Sequence, residues 1–373
     1  MVRAPRLLTA ALTLALAGSL LAPTVTMAAN PVLRGVVVQS GLVNPWDLAF
    51  LPGGQMIVTE RPGRVRVYAS GLPGAALLNT TNLFGVRAEG ESGVMGIAVD
   101  HLFNSNRLVY ICVSRTFGGQ WVNQLIRYKV NANWTLSHNM NLISYGMRAN
   151  TIHNGCAVEE GPDQKIWLTM GDANNMSYAQ SPTALNGKVL RINRDGTVPT
   201  DNPVMPGAPG RSFVYSMGHR NPQGITFNGN RVYISEHGPD VNDEINWIRP
   251  GRNYGWPCVT GFGTPYTGCS GTFTNPIWRS GGSTIATSNA TFVKGAAWLD
   301  FSGQLFVATL KEQDLRRFTV GSTGSPATYR QTYFNNIWGR LRATVPGPGG
   351  STLYLTTSNG SGDEVIRVVP RPS

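Results

Sequence analysis

The feature that most constrains this sequence is a pattern that occurs six times along the chain. Each copy has a short apolar segment, a turn rich in Gly, Asn or Asp, and a second apolar segment that ends in small polar residues. The first segments of the six copies lie at residues 47–50, 96–99, 155–158, 224–227, 295–298 and 342–345. Equivalent positions are 47 to 71 residues apart. That spacing suits one four-stranded antiparallel sheet with its loops.

Six such sheets arranged radially form an all-β, six-bladed β-propeller, in which repetition protects the sheet edges. The third strand of each unit is predicted at residues 65–68, 125–128, 189–192, 245–248, 315–318 and 365–368. The run 36–38 is predicted to pair with the last unit and close the ring. The alternative is a row of β-sandwich domains, but no Pro-rich or Gly-rich linkers separate the units.

Composition supports an all-β fold. Only 14% of the residues are charged, whereas a helix-rich protein of 373 residues normally carries many Lys and Glu on its solvated helix faces. The 44 Gly and 24 Pro fit many tight turns. The net charge of +11 comes from scattered Arg and Lys rather than from a basic run, so the sequence predicts no nucleic-acid partner.

The N-terminus is typical of an export signal. Arg3 and Arg6 precede an uncharged stretch over residues 7–21, and small residues around Ala28 resemble a cleavage site. A membrane anchor is the alternative, but the apolar stretch is shorter than the roughly 20 residues of a span. We therefore expect a signal peptide over residues 1–28 and a single propeller domain over residues 29–373. The mature protein is predicted to be secreted or periplasmic, with no membrane span.

The chain has four cysteines, and an even count in an exported protein favours disulfides. Cys258 and Cys269 flank a Gly-rich loop and form the easiest pair. Cys112 with Cys156 follows by elimination. The sequence has no CxxC or CxxCH motif, which argues against a zinc knuckle and a covalent haem.

Strand alternation predicts which loops share one face of the ring. The loop that enters the first strand of a blade and the loop between its second and third strands lie on the same side. Most of the unusual polar residues fall in these two sets of loops, which predicts a binding site at that mouth of the central channel. The residues of this face that enter the site prediction are Glu91, His153, Arg220, Asn221, Gly238, Pro239, Lys311 and Arg340.

Three residues of this face suggest acid–base and electrostatic chemistry. His153 supplies an imidazole, a group that can remove a hydroxyl proton as a general base. Arg220 can polarise a carbonyl or hold an oxyanion, and the Asn221 amide is a neutral donor beside it. Each of them read alone could equally be a turn cap or a surface contact.

Further charges point to an anionic ligand and a cation. Lys311, Arg340 and Arg342 would converge on the same axis, which favours a ligand with several carboxylates. The acidic segment 236–244 contains Gly238, Pro239 and Glu244, whose carbonyls and carboxylate suit calcium, although it does not match an EF-hand loop. The sequence has no GxSxG or HExxH motif and no complete dinucleotide loop, so serine hydrolases and zincins are not supported.

Three motifs in order resemble a known family. They are the segments 218–224 (GHRNPQG), 236–239 (EHGP) with 243–246 (DEIN), and 251–257 (GRNYGWP). Together they are similar to the soluble quinoprotein glucose/sorbosone dehydrogenases, six-bladed propellers that oxidise aldoses with pyrroloquinoline quinone and calcium. The similarity spans roughly residues 33–370.

The resemblance implies a role for each candidate residue. His153 would be the base that takes the proton from the sugar C1 hydroxyl, while hydride passes to the quinone and Arg220 bonds the quinone carbonyl. The implied cofactor-binding residues are Glu91, Asn221, Lys311, Arg340 and Arg342. The implied calcium ligands are the carbonyls of Gly238 and Pro239, with a second calcium near Glu244 and Tyr254. Electrons would pass to an external acceptor, a cytochrome or a dye.

Two positions depart from the family pattern, and two other functions remain open. Ile152 stands where some members have an Asp that orients the catalytic His, so another acceptor must fix the tautomer of His153. Cys156 stands where relatives often have Gly.

The other functions that remain open are a calcium-dependent propeller lactonase or hydrolase and a non-catalytic ligand-binding propeller.

Overall fold

A computed structural model describes residues 1–2, 30–264 and 269–372. Apart from its first two residues, the predicted signal peptide lies outside the described residues. Nearly all regular structure in the described part of the chain is β-strand. Short helical segments lie in the loops, and their bounds are Phe103–Asn106, Ser177–Gln180, Ala296–Phe301 and Pro348–Gly350.

The strands form six four-stranded antiparallel sheets in sequence order, so the predicted six-bladed propeller is confirmed. Blades 1 to 3 consist of β2–β5 (Pro45–Phe50, Met56–Glu60, Arg64–Tyr68, Leu77–Asn82), β6–β9 (Val94–Val99, Leu108–Phe117, Gln120–Val130, Leu136–Ile143) and β10–β13 (Gly155–Glu160, Ile166–Met170, Lys188–Ile192, Val214–Met217). Blades 4 and 5 consist of β14–β17 (Pro222–Asn228, Arg231–Glu236, Glu244–Ile248, Trp278–Arg279) and β18–β21 (Thr287–Phe292, Leu305–Thr309, Leu315–Val320, Ala327–Tyr333).

Blade 6 closes the ring with strands from both ends of the described chain. It consists of β22–β24 and β1 (Leu341–Pro346, Leu353–Thr357, Asp363–Arg371 and Val32–Leu42). Val36 pairs with Arg367 and Val37 with Ile366, so the predicted closure by residues 36–38 is confirmed. Antiparallel pairing of the N-terminal strand with the last strand fixes the first blade against the sixth.

The core lies between neighbouring blades. Ile57 and Val65 of blade 1 pack with Ile97 and Val109 of blade 2, and all four are almost fully buried. A second cluster joins blades 2 and 3 in the same way. Each fully buried aliphatic side chain contributes about 1.5–3 kcal/mol, so the blade interfaces hold the inner loops in fixed positions.

The predicted first strand of the fifth unit is wrong. Residues 295–298 lie in a turn and in the 3-10 helix Ala296–Phe301, and the innermost strand of blade 5 is β18, Thr287–Phe292. The sequence of β18, TSNATF, is polar and gives no apolar signal. The apolar run that follows it is buried as a helical turn, in which Trp298 packs near Phe306 with 5.7 Å between the ring centroids.

Both predicted disulfides are present. Cys112 on β7 bonds to Cys156 on β10 and joins blades 2 and 3. Cys258 bonds to Cys269 across the loop of blade 4. No helix within the described ranges is long and apolar enough to cross a membrane.

The two disulfides should differ in their effect on stability. Replacing Cys112 and Cys156 with Ala should lower the free energy of unfolding by about 4 kcal/mol, because that bond closes the longer loop. The separations are 44 residues for this pair and 11 for Cys258 and Cys269. The matched change at Cys258 and Cys269 should cost about 1 kcal/mol less. Urea unfolding of both double variants measures the difference, and a larger loss in the second would contradict it.

Candidate active site

The carboxylate of Glu91 connects three blades at the mouth of the channel. Glu91 lies in the loop before β6. Its Oε2 accepts a hydrogen bond from the backbone N–H of His153 at 2.9 Å. The same oxygen accepts from Nδ2 of Asn221 at 3.3 Å. The Asn221 Oδ1 in turn accepts from the backbone N–H of Gly155 at 3.0 Å. These bonds bring Glu91, His153 and Asn221 together, as predicted from strand alternation.

The His153 imidazole is held by a buried carboxylate. Its Nδ1 lies 2.8 Å from Oδ1 of Asp172, a residue with 0% exposure, and the backbone N–H of Asn174 donates to the same oxygen at 2.8 Å. An ionised carboxylate only accepts, so in the neutral imidazole Nδ1 carries the proton and Nε2 keeps its lone pair. Because residue 152 is Ile and not Asp, another acceptor has to orient His153. Asp172 is that acceptor. The Ile152 side chain is 40% exposed.

The backbone around His153 is unusual. His153, Gly155 and Cys156 all have φ values near +60°, in the left-handed region that non-glycine residues rarely adopt. Gly171 passes so close that a Cβ there would lie 2.1 Å from the carbonyl oxygen of His153. The local conformation thus requires a glycine at residue 171.

Arg220 lies at the start of blade 4, with its backbone and side chain both fixed. Its backbone N–H donates to Oε1 of Glu236 at 2.5 Å, and Nη1 donates to the carbonyl of His237 at 3.1 Å. Burial lowers the pKa of Arg220, and the nearby carboxylates of Asp172 and Glu236 oppose that shift. The guanidinium is therefore a partly desolvated cation beside the His153 and Asp172 pair.

A cleft of about 460 Å³ next to Glu91 is lined by three guanidinium groups. Arg342, on β22, is 6% exposed; its Nη1 donates to Oε1 of Gln223 at 3.0 Å, and its guanidinium lies 3.7 Å from the Trp46 ring centroid. Burial lowers the pKa of Arg342 to about 10, and the positive charges of Arg340 and Arg61 act in the same direction. These cations are close enough to repel one another.

Lys311 lies beside this cleft rather than in its lining. It is exposed, and the carbonyl of its neighbour Leu310 lies 3.5 Å from Nη1 of Arg340. The structure thus places Lys311 and Arg340 at the same mouth. Arg61 and Gln223 are additional residues of this region that were not among the predicted site residues.

The predicted metal-ligand residues line a second, small pocket that adjoins Arg220. It is bordered by Gly238, Pro239, Glu244 and Tyr254, together with Glu236, Arg220 and Trp256. The Glu244 carboxylate accepts from the Gly261 N–H at 2.6 Å and from Asn246 Nδ2 at 2.9 Å. Burial raises the pKa of Glu244 to about 8, with the Glu236 carboxylate adding to the shift.

Tyr254 can contribute less to that pocket than its position suggests. Its hydroxyl donates to the Trp247 carbonyl at 2.5 Å and accepts from the Arg249 N–H at 3.0 Å. The phenol oxygen is thus already used, and only the backbone carbonyl of Tyr254 remains for a cation.

These observations describe a six-bladed propeller with a carboxylate-held imidazole and a cluster of cations at one mouth. The family model for Glucose / Sorbosone dehydrogenase matches residues 42–367. The chain therefore belongs to the Glucose / Sorbosone dehydrogenase family, and the resemblance drawn from the three motifs is confirmed.

Similar proteins agree with this assignment. The aldose sugar dehydrogenase YliI of Escherichia coli K12 is 29% identical, over 90% of this chain and 92% of the relative. Quinoprotein glucose dehydrogenase B of Acinetobacter calcoaceticus is 36% identical, over 61% of this chain and 52% of the relative. The PQQ-bound structure of aldose sugar dehydrogenase from Streptomyces coelicolor superposes with a TM-score of 0.77 and 27% identity. It covers 92% of this chain and 100% of that structure.

Substitution of Gly171 tests the close approach below His153. Gly171→Ala should lower the free energy of unfolding by about 2 kcal/mol, because the added methyl meets a backbone oxygen that cannot move freely. Gly210→Ala is the matched control, since nothing lies within 4 Å of a Cβ there. Urea unfolding of the two variants gives the comparison, and equal stabilities would refute the predicted clash.

Proposed function

We propose that this protein oxidises the C1 hydroxyl of aldose sugars to the lactone. Hydride would pass to pyrroloquinoline quinone, and the electrons would then pass to an external acceptor such as a cytochrome or a dye. The observation that carries the proposal is the His153 imidazole, oriented by Asp172 with a free Nε2, beside a cleft lined by cations. Family membership and the named relatives support the same chemistry.

The cleft fits a polyanionic cofactor. Pyrroloquinoline quinone carries three carboxylates and, when bound, supplies a two-electron acceptor. Arg342 and Arg340 are held close together, and burial already weakens the charged form of Arg342. Carboxylates placed there would relieve that repulsion. Arg340, Arg342 and Lys311 would hold the carboxylates, while Glu91 keeps the neighbouring Asn221 in place.

The protein groups divide the reaction between them. His153 would accept the C1 hydroxyl proton at Nε2, and Asp172 would stabilise the imidazolium that forms. Arg220 and Asn221 would donate hydrogen bonds to the oxygen that gains negative charge during hydride transfer. Arg220 suits this role because its burial makes the charge less screened.

The pocket that contains Glu244 fits calcium by its donor chemistry. It brings carboxylate and carbonyl oxygens together, and these are the ligands that calcium prefers. The carbonyls of Gly238 and Pro239 would hold a calcium ion at the cofactor. Glu244, with the carbonyl of Tyr254, would hold a second one.

Export is part of the same proposal. Two disulfides fit an oxidising compartment, and the predicted signal peptide agrees with it. We therefore place the enzyme outside the cytoplasm, either in the periplasm or secreted.

Reconstitution tests the proposed reaction. Adding pyrroloquinoline quinone and calcium to the cofactor-free protein should give a bound-quinone spectrum and aldose-dependent reduction of a dye. Omitting either component should abolish dye reduction. Quinone binding without sugar turnover would favour a non-catalytic propeller. Absence of quinone binding, with hydrolysis of a lactone instead, would favour the hydrolase alternative.

Two substitutions should separate catalysis from cofactor binding. His153→Ala should lower kcat about 10²- to 10⁴-fold and retain the cofactor, because it removes the base and leaves the cations in place. Lys311→Ala should raise the cofactor Kd about fivefold, the effect of losing one exposed ion pair. Steady-state kinetics and quinone titration measure the two effects. Full activity of His153→Ala, or an unchanged Kd for Lys311→Ala, would reject the corresponding role.

A further inference from the structure

Trp256 reaches the candidate active site by an unexpected route. It belongs to the long connection between β16 and β17, which begins at the opposite end of the ring. Residues 251–256 run parallel to β13 along its free edge, with hydrogen bonds from the Tyr254 N–H to the Met217 carbonyl at 2.8 Å and from the Trp256 N–H to the Gly218 carbonyl at 3.0 Å. This edge segment places the indole at the mouth.

The indole N–H binds the carboxylate that holds the candidate base. Nε1 of Trp256 donates to Oδ2 of Asp172 at 2.8 Å, while Oδ1 faces Nδ1 of His153 at 2.8 Å. Both oxygens of this buried carboxylate are therefore paired, each with a different ring. A carboxylate fixed at both oxygens cannot rotate about its own bond, so it holds the imidazole in one orientation.

The indole ring of Trp256 also lies near Arg220, the residue proposed to bond the oxygen that gains negative charge. The guanidinium carbon of Arg220 lies 5.5 Å from the centroid of the Trp256 ring, within the range of a cation–π contact. Trp256 is thus in contact with Asp172, which orients the proposed base His153. It is also in contact with Arg220, which is proposed to stabilise the charge that hydride transfer produces.

The Trp256 backbone is anchored independently of its side chain. Nε2 of Gln180 donates to the Trp256 carbonyl at 2.5 Å, and Nδ2 of Asn253 donates to Oε1 of Gln180 at 2.7 Å. These bonds tie residues 253–256 to the loop that follows Asp172. Loss of the indole N–H should therefore leave the path of the chain unchanged.

We propose that Trp256 is a positioning residue that sets the orientation of the His153 imidazole through Asp172 and the placement of Arg220 through its ring. The inference rests on the proposed function, since it assigns the two groups that Trp256 aligns to the two halves of one reaction. Trp256 itself touches neither reacting atom in this scheme.

Trp256→Phe tests the N–H separately from the ring. It removes the bond to Asp172 and keeps an aromatic face for Arg220. We expect kcat to fall about 10- to 100-fold, with the sugar KM and the quinone Kd unchanged within threefold.

Trp167→Phe is the matched control. The Trp167 indole also donates to an aspartate, Asp163, at 3.1 Å, and Arg191 lies 5.7 Å from its ring centroid. That arrangement lies at the opposite end of blade 3. The control should keep kcat per folded molecule within twofold of the parent. A kcat for Trp256→Phe within twofold of the parent, or an equal loss in the control, would overturn the proposal.

A spectroscopic readout on the cofactor-free protein does not depend on turnover. In protein labelled with ¹⁵N-histidine, at a pH where imidazole is neutral, His153 should show one protonated Nδ1 and one unprotonated Nε2. The His153→Ala variant assigns these signals. In Trp256→Phe the two nitrogens should move toward averaged shifts, whereas in Trp167→Phe they should not.

The two measurements decide the proposal together. Averaged shifts together with the loss of kcat support it, and either one without the other overturns it. If the parent protein oxidises no sugar, the proposed function fails. The imidazole signals then still decide whether Trp256 fixes the His153 orientation through Asp172.

Discussion

The arrangement of the site depends on one buried carboxylate, that of Asp172. Its two oxygens receive the His153 imidazole, the Asn174 N–H and the Trp256 indole, and its own N–H donates to the Arg220 carbonyl at 2.8 Å. A buried carboxylate is costly unless it is fully hydrogen-bonded, and only the Asn174 bond comes from its own loop. Satisfying this carboxylate therefore requires the loop that carries His153 and the edge segment along β13 to meet the Asp172 loop in a single arrangement.

Charge at the mouth is unevenly distributed. Asp172 pairs with an imidazole and an indole, whereas Glu91 pairs with amides and also lines the cleft of the cations. Arg342 is desolvated next to Arg340, and its guanidinium meets the Gln223 amide, the Ser358 hydroxyl and the Trp46 ring. The Glu91 carboxylate offsets part of the repulsion between these cations. Such a cation cluster costs folding free energy that a bound anion would return. This distribution supports the proposed binding of an anionic cofactor near Arg342 and of an uncharged sugar near His153.

The sequence repeat was sufficient to predict the ring, its closure and the face on which Glu91, His153 and Arg220 meet, because strand alternation alone decides these features. The repeat did not predict β18, because the sequence of this innermost strand is polar and lacks the apolar pattern of the other first strands. It also could not place Trp256, since blade topology puts the connection after β16 at the opposite end. That connection reaches the mouth by pairing with the edge of β13, a long-range contact without a local signal. Asp172 lies between the second and third strands of its blade, in a loop that strand alternation places on the correct face. Its bond to His153 depends on a left-handed backbone conformation at His153 that residue propensities do not predict.

Rigidity around His153 explains the positive φ values that the local sequence would not adopt alone. Residues in the left-handed region cost about 1 kcal/mol or more each, and His153 and Cys156 both occupy it. The conformation persists because the disulfide to Cys112, the Glu91 bond to the His153 N–H and the close approach of Gly171 all oppose its relaxation. In the proposed reaction, an imidazole held in this way would not need to reorient when a substrate enters. The backbone strain would then be compensated in folding rather than in each turnover, as expected of a preorganised site.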